Sequence, residues 1–231
     1  MTVLLRIAVL LNVLALLACQ PTVTHKIPEA VLDKLRIAPD STRYTIDSHA
    51  SLLVVKVYRD GQLASLGHNH VISSRDLQGE IYLAESIRDT AFEIRLPVAS
   101  LDIDSPALRA AAGDDFPGEL DTDAILGTRS NLLGGQQLDV ASWPEIVLRS
   151  RSINSAPPDF TVMVDMAFKA HISSFAVPVQ LEISGDQLKV AGTFTILQTE
   201  FGMQPFSVMM GALRVRDAID VEFHIVAFVR Q

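Results

Sequence analysis

Cysteine is almost absent from this chain of 231 residues: a single one, Cys19, stands near the N-terminus. One thiol excludes a disulfide framework, a cysteine-based metal site and a cysteine nucleophile in the body of the chain. Basic residues are outnumbered, 19 Lys and Arg against 27 Asp and Glu, for a formal charge of −8. No basic stripe is visible, which argues against nucleic acid and against electrostatic docking on anionic lipid. Long apolar runs are missing too. The stretch from Ile7 to Leu17 is broken by Asn12 and falls short of the roughly 20 residues a membrane-spanning helix needs. No internal repeat is present, and no glycine-framed serine of the nucleophile-elbow type.

What the N-terminus does contain is one cation (Arg6), an apolar middle, then Leu17-Ala18-Cys19. That is the layout of a bacterial secretion signal, and a thiol directly after the small residue makes it a lipoprotein signal. The Cys19 sulfur is the nucleophile that takes a diacylglyceryl group, and cleavage before it frees an amine for a further chain. Two or more acyl chains hold a protein stably on a bilayer, at about 0.8 kcal/mol per buried methylene. The competing readings are a plain cleaved signal with an incidental cysteine and an uncleaved apolar helix. The expected division is a signal peptide over 1–18, a lipidated N-terminus and proline-bearing tether over 19–41, and one domain over 42–231. The expected location is the periplasmic side of the cell envelope. Gln20 carries no acidic retention signal, which favours the outer membrane in a diderm host.

From Tyr44 onward apolar residues alternate with polar ones, the mark of half-buried strands. Phe92, Ile94, Leu96 and Val98 form one face, after which the phase flips to Leu101 and Ile103, predicting a kink near Ala99-Ser100. Val162 to Phe168, Phe175 to Ile183, Leu188 to Ile196 and Val221 to Val229 repeat the pattern. Asp60-Gly61 and Gly185-Asp186 suit two-residue hairpin turns. One helix is predicted in TDAILGTRSNLLGG, with Ile125, Leu126, Leu132 and Leu133 on one face, Asp121 or Thr122 as cap and Gly134 as stop. The fold expected is all-β: about eight antiparallel strands closed as a lipocalin-like barrel with one covering helix, a sandwich being the alternative.

Five segments carry a resemblance to a known family: YTIDSHASLLVVKVYR, LQGEIYL, DVASWPEIVLRS, VAGTFTILQTEFGMQPFSVMMGAL and VEFHIVA. Together they resemble the YceI-like proteins, over about Tyr44 to Ala227. The resemblance implies an extended lipocalin-type barrel that binds polyisoprenoid-type lipid without catalysis. The acidic insertion from Gly113 to Asp123 replaces the Arg-Asp pair and histidine commoner in the family, so headgroup contacts are not carried over.

The residues themselves also read as a container, because an apolar chain binds by area, about 25 cal/mol per Å², and needs no fixed spacing of groups. Candidate ligand-binding positions are His68, His70, Leu53, Val55, Val57, Leu66, Phe168 and Phe194. In LGHNH the two histidines share a strand face. A hairpin at Asp60-Gly61 would pair Val57 with Ala64, Val55 with Leu66 and Leu53 with His68, turning both histidines inward. They could be structural, touch a lipid head, or hold a metal or haem in a redox protein. No resident metal or cofactor is expected, and no catalytic residue. Asp102 and Asp104 read as a solvated strand end, and Met203, Met209 and Met210 as adaptable apolar filler rather than Cu(I) ligands. Metabolic labelling with a fatty-acid analogue is expected to mark the protein, and Cys19→Ala is expected to abolish the label.

Overall fold

Each alternating segment pairs with the next along the chain, and the last pairs back onto the first. A computed structural model describes residues 32, 34–156 and 159–230. The expected signal peptide, Cys19 and most of the tether lie outside the described residues.

In chain order the strands begin with β1 (Thr42–Ile46), β2 (Leu52–Val57), β3 (Arg59–Asp60), β4 (His70–Ser74), β5 (Gln78–Leu83), β6 (Ala91–Pro97) and β7 (Asp102–Ile103). Two helices follow, α1 (Pro106–Ala111) and α2 (Thr122–Leu133). Then come β8 (Glu145–Ala156), β9 (Asp159–Phe168), β10 (His171–Ser184), β11 (Gln187–Leu197), β12 (Ser207–Val208), β13 (Leu213–Val215) and β14 (Ala218–Val229). The main ladder runs β1-β5-β6-β8-β9-β10-β11-β14, and β14 returns to β1, closing an antiparallel ring of 8 strands. This is the barrel that the alternation predicts, not the sandwich.

Three strands of the wall are interrupted, and the interruptions lie side by side. β14 pairs with β1 through Ile46–Ala227 and with β2 through His224–Leu52. Likewise β4 and β5, and β6 and β7, are paired pieces of single wall strands. Each step reverses the parity that faces inward. Tyr44 and Ile46 give way to Leu53 and Val55, Ile72 to Ile81, and Leu96 to Leu101 and Ile103. The last step is a 3-10 turn over Val98–Ser100, where the phase flip placed a kink.

Backbone groups stranded at such steps need partners, since an orphaned buried N–H costs as much as a lost hydrogen bond. Serines supply them. Fully buried Ser51 accepts the Val226 N–H at 3.0 Å and donates to Asp47 O at 2.7 Å. Ser74 and Ser100 join hydroxyls at 2.8 Å, and Ser100 donates onward to Pro97 O.

Asp60-Gly61 does not close a two-residue hairpin. Arg59 and Asp60 leave the barrel to pair with β13, and β2 meets β4 instead, Val57 opposite His70 and Leu53 opposite Ser74. Glycine is required at 61 because a Cβ there would lie 2.4 Å from Ala212 O. That is a tertiary contact which dipeptide chemistry does not encode. The partner of Val57 thus moves from Ala64 to His70, an even number of residues, so the inward face predicted for His70 survives while Leu66 and His68 leave the strand.

Helix α2 starts as predicted, the Asp121 carboxylate accepting the Ala124 N–H at 2.8 Å. Ile125, Leu132 and Leu133 pack on the core, but Leu126 is 56% exposed. It lies about 100° round the axis from Ile125, on the flank away from the barrel. The acidic segment folds against the outside of β2 and β4, where Phe116 is buried with Val54 and Val71.

Ser51→Ala should lower unfolding stability in urea by about 1–3 kcal/mol, the cost of a buried N–H left alone. A loss below a few tenths would mean that Val226 finds another partner.

Candidate functional site

The inward residues of the closed ring do not fill it. A chamber of about 230 Å³ remains, lined by Leu53, Val55 and Val57 from β2, Val164 and Phe168 from β9, Phe175 from β10, Phe194 from β11 and Val221 and Phe223 from β14, among others. One water needs only about 10–15 Å³, and cavities lined by such side chains stay dry or take apolar guests. Gln198 is the polar residue of the lining, and its amide donates to Arg216 O at 2.9 Å. Phe175 stacks on Phe194 at 5.3 Å, and Phe201 meets Phe175 edge-on at 5.9 Å. Gly192 makes room for the Phe223 ring, which a Cβ would approach to 2.8 Å. A second cleft of about 100 Å³ toward Ile81 and Leu181 shares Phe92, Val164 and Phe223 with the chamber. Leu132 of α2, Leu138 and Met203 close the chamber at the end of the long connections.

Of the candidate positions, Leu53, Val55, Val57, Phe168 and Phe194 converge on this chamber. Leu66 does not: it sits in a 3-10 turn, 64% exposed. The histidines separate as well. His68 is exposed, whereas the His70 side chain is 16% exposed and stands opposite Val57, which lines the chamber. Their ring centroids are 6.4 Å apart. Among the described residues no three His, Cys, Asp or Glu side chains gather as a metal-binding group.

His70 is held by a buried network. Its Nδ1 lies 2.7 Å from Asp104 Oδ2, and Asp104 Oδ1 accepts both the Val71 N–H at 2.9 Å and Arg109 Nη1 at 2.7 Å. Arg109, 2% exposed, also donates to the carbonyls of Asn69, Pro117 and Gly118. Asn69 in turn donates to Asp115 O and accepts the Arg59 N–H. Asp104 is therefore no solvated strand end. It is 1% exposed, with φ at 57°, a left-handed turn that swings its carboxylate back along β4. Burial pushes this carboxyl upward, but the hydrogen bonds from His70 and the Val71 N–H and the Arg109 guanidinium outweigh it, and its pKa falls below the ordinary 3.8. An ionised Asp104 requires the proton on His70 Nδ1, which leaves Nε2 as an acceptor in the neutral ring.

Asp104 and Arg109 were not legible as functional from the sequence. The available signal was an arginine inside the short, otherwise apolar helix PALRAA, five residues after an aspartate that ends an alternating run. Of the methionines, Met203 lines the chamber, whereas Met209 and Met210 are 61% and 107% exposed and fill nothing.

A model of the YceI-like domain matches residues 44–227. The fold is similar to that of BcnA from Burkholderia cenocepacia, with 15% identity, TM-score 0.58 and coverage of 78% of this chain and 98% of that one. It is also similar to a polyisoprenoid-binding domain from Saccharophagus degradans, at 11% identity and TM-score 0.52, covering 81% and 98%. A YceI protein of Campylobacter jejuni gives 7% identity and TM-score 0.51 over 69% and 85%. No curated protein matches the chain.

Arg109→Met is expected to cost about 3–5 kcal/mol, because it leaves a buried carboxylate without its cation. The pH dependence follows from the depressed pKa of Asp104. In the native protein its contribution is complete above the unfolded value and is lost as the pH falls through the lower folded one. Arg109→Met raises the folded pKa toward the unfolded one. The difference in melting temperature between native protein and variant, measured down a pH series, should therefore be largest above the unfolded value and shrink as the pH falls through it.

Proposed function

The chain belongs to the YceI-like family, and on that premise we propose that its barrel binds an isoprenoid or related apolar chain, as a carrier or chaperone of an envelope lipid and without catalysis. The observation that carries this reading is the chamber: a closed wall around about 230 Å³ whose lining is apolar but for Gln198. Each methylene drawn in from water contributes about 0.8 kcal/mol. Opposite Val57, His70 Nε2 offers an acceptor to a head bearing a hydroxyl, held in place by Asp104 and Arg109. The Saccharophagus neighbour described as polyisoprenoid-binding supports the same ligand class. Lipidation at Cys19 would keep the carrier at the periplasmic face of a membrane, close to such chains.

The rival is a metal- or haem-linked redox protein using His68 and His70, and a single experiment separates the two. Mass spectrometry of the natively purified domain from Gln20 onward should find a co-purified long-chain lipid, whereas stoichiometric metal or haem would overturn the proposal. His70→Gln should then weaken binding of a hydroxyl-headed prenol by about 1–3 kcal/mol. His68→Gln should leave it unchanged, since that ring is exposed.

A further inference from the structure

Apolar side chains exposed on a soluble domain are ordinary when scattered and informative when gathered. They gather where the 3-10 turn after β3 meets the connection from β12 to β13. Leu63 is 37% exposed, Leu66 64%, Val208 37%, Met209 61% and Met210 107%. The two segments are packed together: the Leu63 N–H donates to Ala212 O at 2.8 Å, and Gly67 lies against the Leu213 side chain. Both connect strands at the end of the barrel where Val57, Ile196 and Ile219 line the chamber. We propose that this tip inserts into the surface of a neutral, zwitterionic lipid bilayer and sets the chamber's mouth against it. The proposal rests on the apolar-chain reading for its purpose, since a carrier must meet the membrane that holds its cargo.

Four observations favour a bilayer as the occupant. Met209 and Met210 both stand in left-handed backbone, φ 53° and 55°, a conformation that suits Gly, Asn or Asp and strains a methionine. The strain gains little packing, because both side chains are largely exposed. Their use therefore lies outside the fold. Second, the tip departs from the acidic character of the whole chain. Across residues 59–68 and 207–216 the ionised side chains are Arg59, Arg214 and Arg216 against Asp60 alone. Arginines in the same two segments as the apolar residues match the phosphates beneath a zwitterionic surface. Third, the net charge of −8 disfavours attraction to anionic lipid, so insertion must be carried by apolar area.

The fourth observation is where the N-terminal segment joins the barrel. Leu32 is buried against Val147 and Ala167, near the start of β8 and the end of β9, which is the mouth end. From Cys19 to Leu32 the chain reaches at most about 45 Å. A lipid on Cys19 would thus tether the domain by the end that carries the tip.

The test is flotation of the domain from Gln20 onward with phosphatidylcholine vesicles. The native domain should float, at low and high salt alike. Met209→Asn with Met210→Asn should lower the bound fraction roughly tenfold or more. Because Asn accepts left-handed backbone, the melting temperature should hold or rise, which separates lost docking from lost folding. Ile183→Asn, at an exposed apolar position (48%) at the opposite end, should float like the native protein. Absence of flotation, or equal flotation of native and tip variant, would overturn the proposal. So would a vesicle-independent dimer in sedimentation that the same pair of substitutions dissolves, since it would make a second copy the partner. Lipid found in the chamber without flotation defeats the docking alone, and flotation with an empty chamber defeats only the binding function.

Discussion

The barrel depends on β14 serving two partners along one edge. Its C-terminal half pairs with β1 and its N-terminal half with β2, and between them the partner chain steps aside. Without both pairings the ring would open and leave two sheet edges unsatisfied. The Ser51 hydroxyl holds the join, because the Val226 N–H there has lost its ladder partner. The same solution recurs at Ser74 and Ser100, so a line of small hydroxyls crosses three neighbouring strands. Steps that would be defects in isolation become a seam in register.

Closure also explains why the side chains leave a chamber between them. Protein cores ordinarily pack to crystal-like density, and an apolar void forfeits contact energy along its lining. A hydrogen-bonded ring cannot shrink to recover that energy, since its circumference is set by strand number and stagger. The space is imposed by the wall. Within it Phe175, Phe194, Phe201 and Phe223 brace one another edge to face and in stacks, and Gly192 gives up its own side chain to seat one of them. The result is a chamber whose aromatic lining is packed ring against ring.

Those parts of the molecule governed by local periodicity could be read from the sequence. Val162 to Phe168 and Val221 to Ile225 announce which side faces in, and the flip after Val98 announces the step, because parity is a property of neighbouring residues. Asp121 is legible as a cap for the same reason. Asp60-Gly61 misled because Gly61 answers to Ala212, far along the chain, and a dipeptide carries no sign of that. Asp104 misled because an aspartate ending a strand is usually solvated, and its burial depends on Arg109 folding back over it. Met209 and Met210 misled because methionine normally fills gaps, whereas these two stand exposed in left-handed backbone.

The two ends of the barrel are built for different tasks. At one end the strands are joined by short connections, the turn at Gly185-Asp186 and the segment 84–90. At the other lie the long excursions 58–69, 104–144 and 198–217, which carry the small second sheet, α1, α2 and the acidic segment. The buried Asp104–Arg109 pair belongs to this second end, and a buried ion pair is weak evidence for stability, since desolvation offsets most of its attraction. Its value is positional. Arg109 grips the carbonyls of Asn69, Pro117 and Gly118, binding the acidic segment to the strand that bears His70. An apolar chamber alone would accept any greasy chain in either direction. On the proposed reading, a fixed imidazole beside Val57, backed by charge that water does not reach, would give the chamber a polar end and its ligand an orientation.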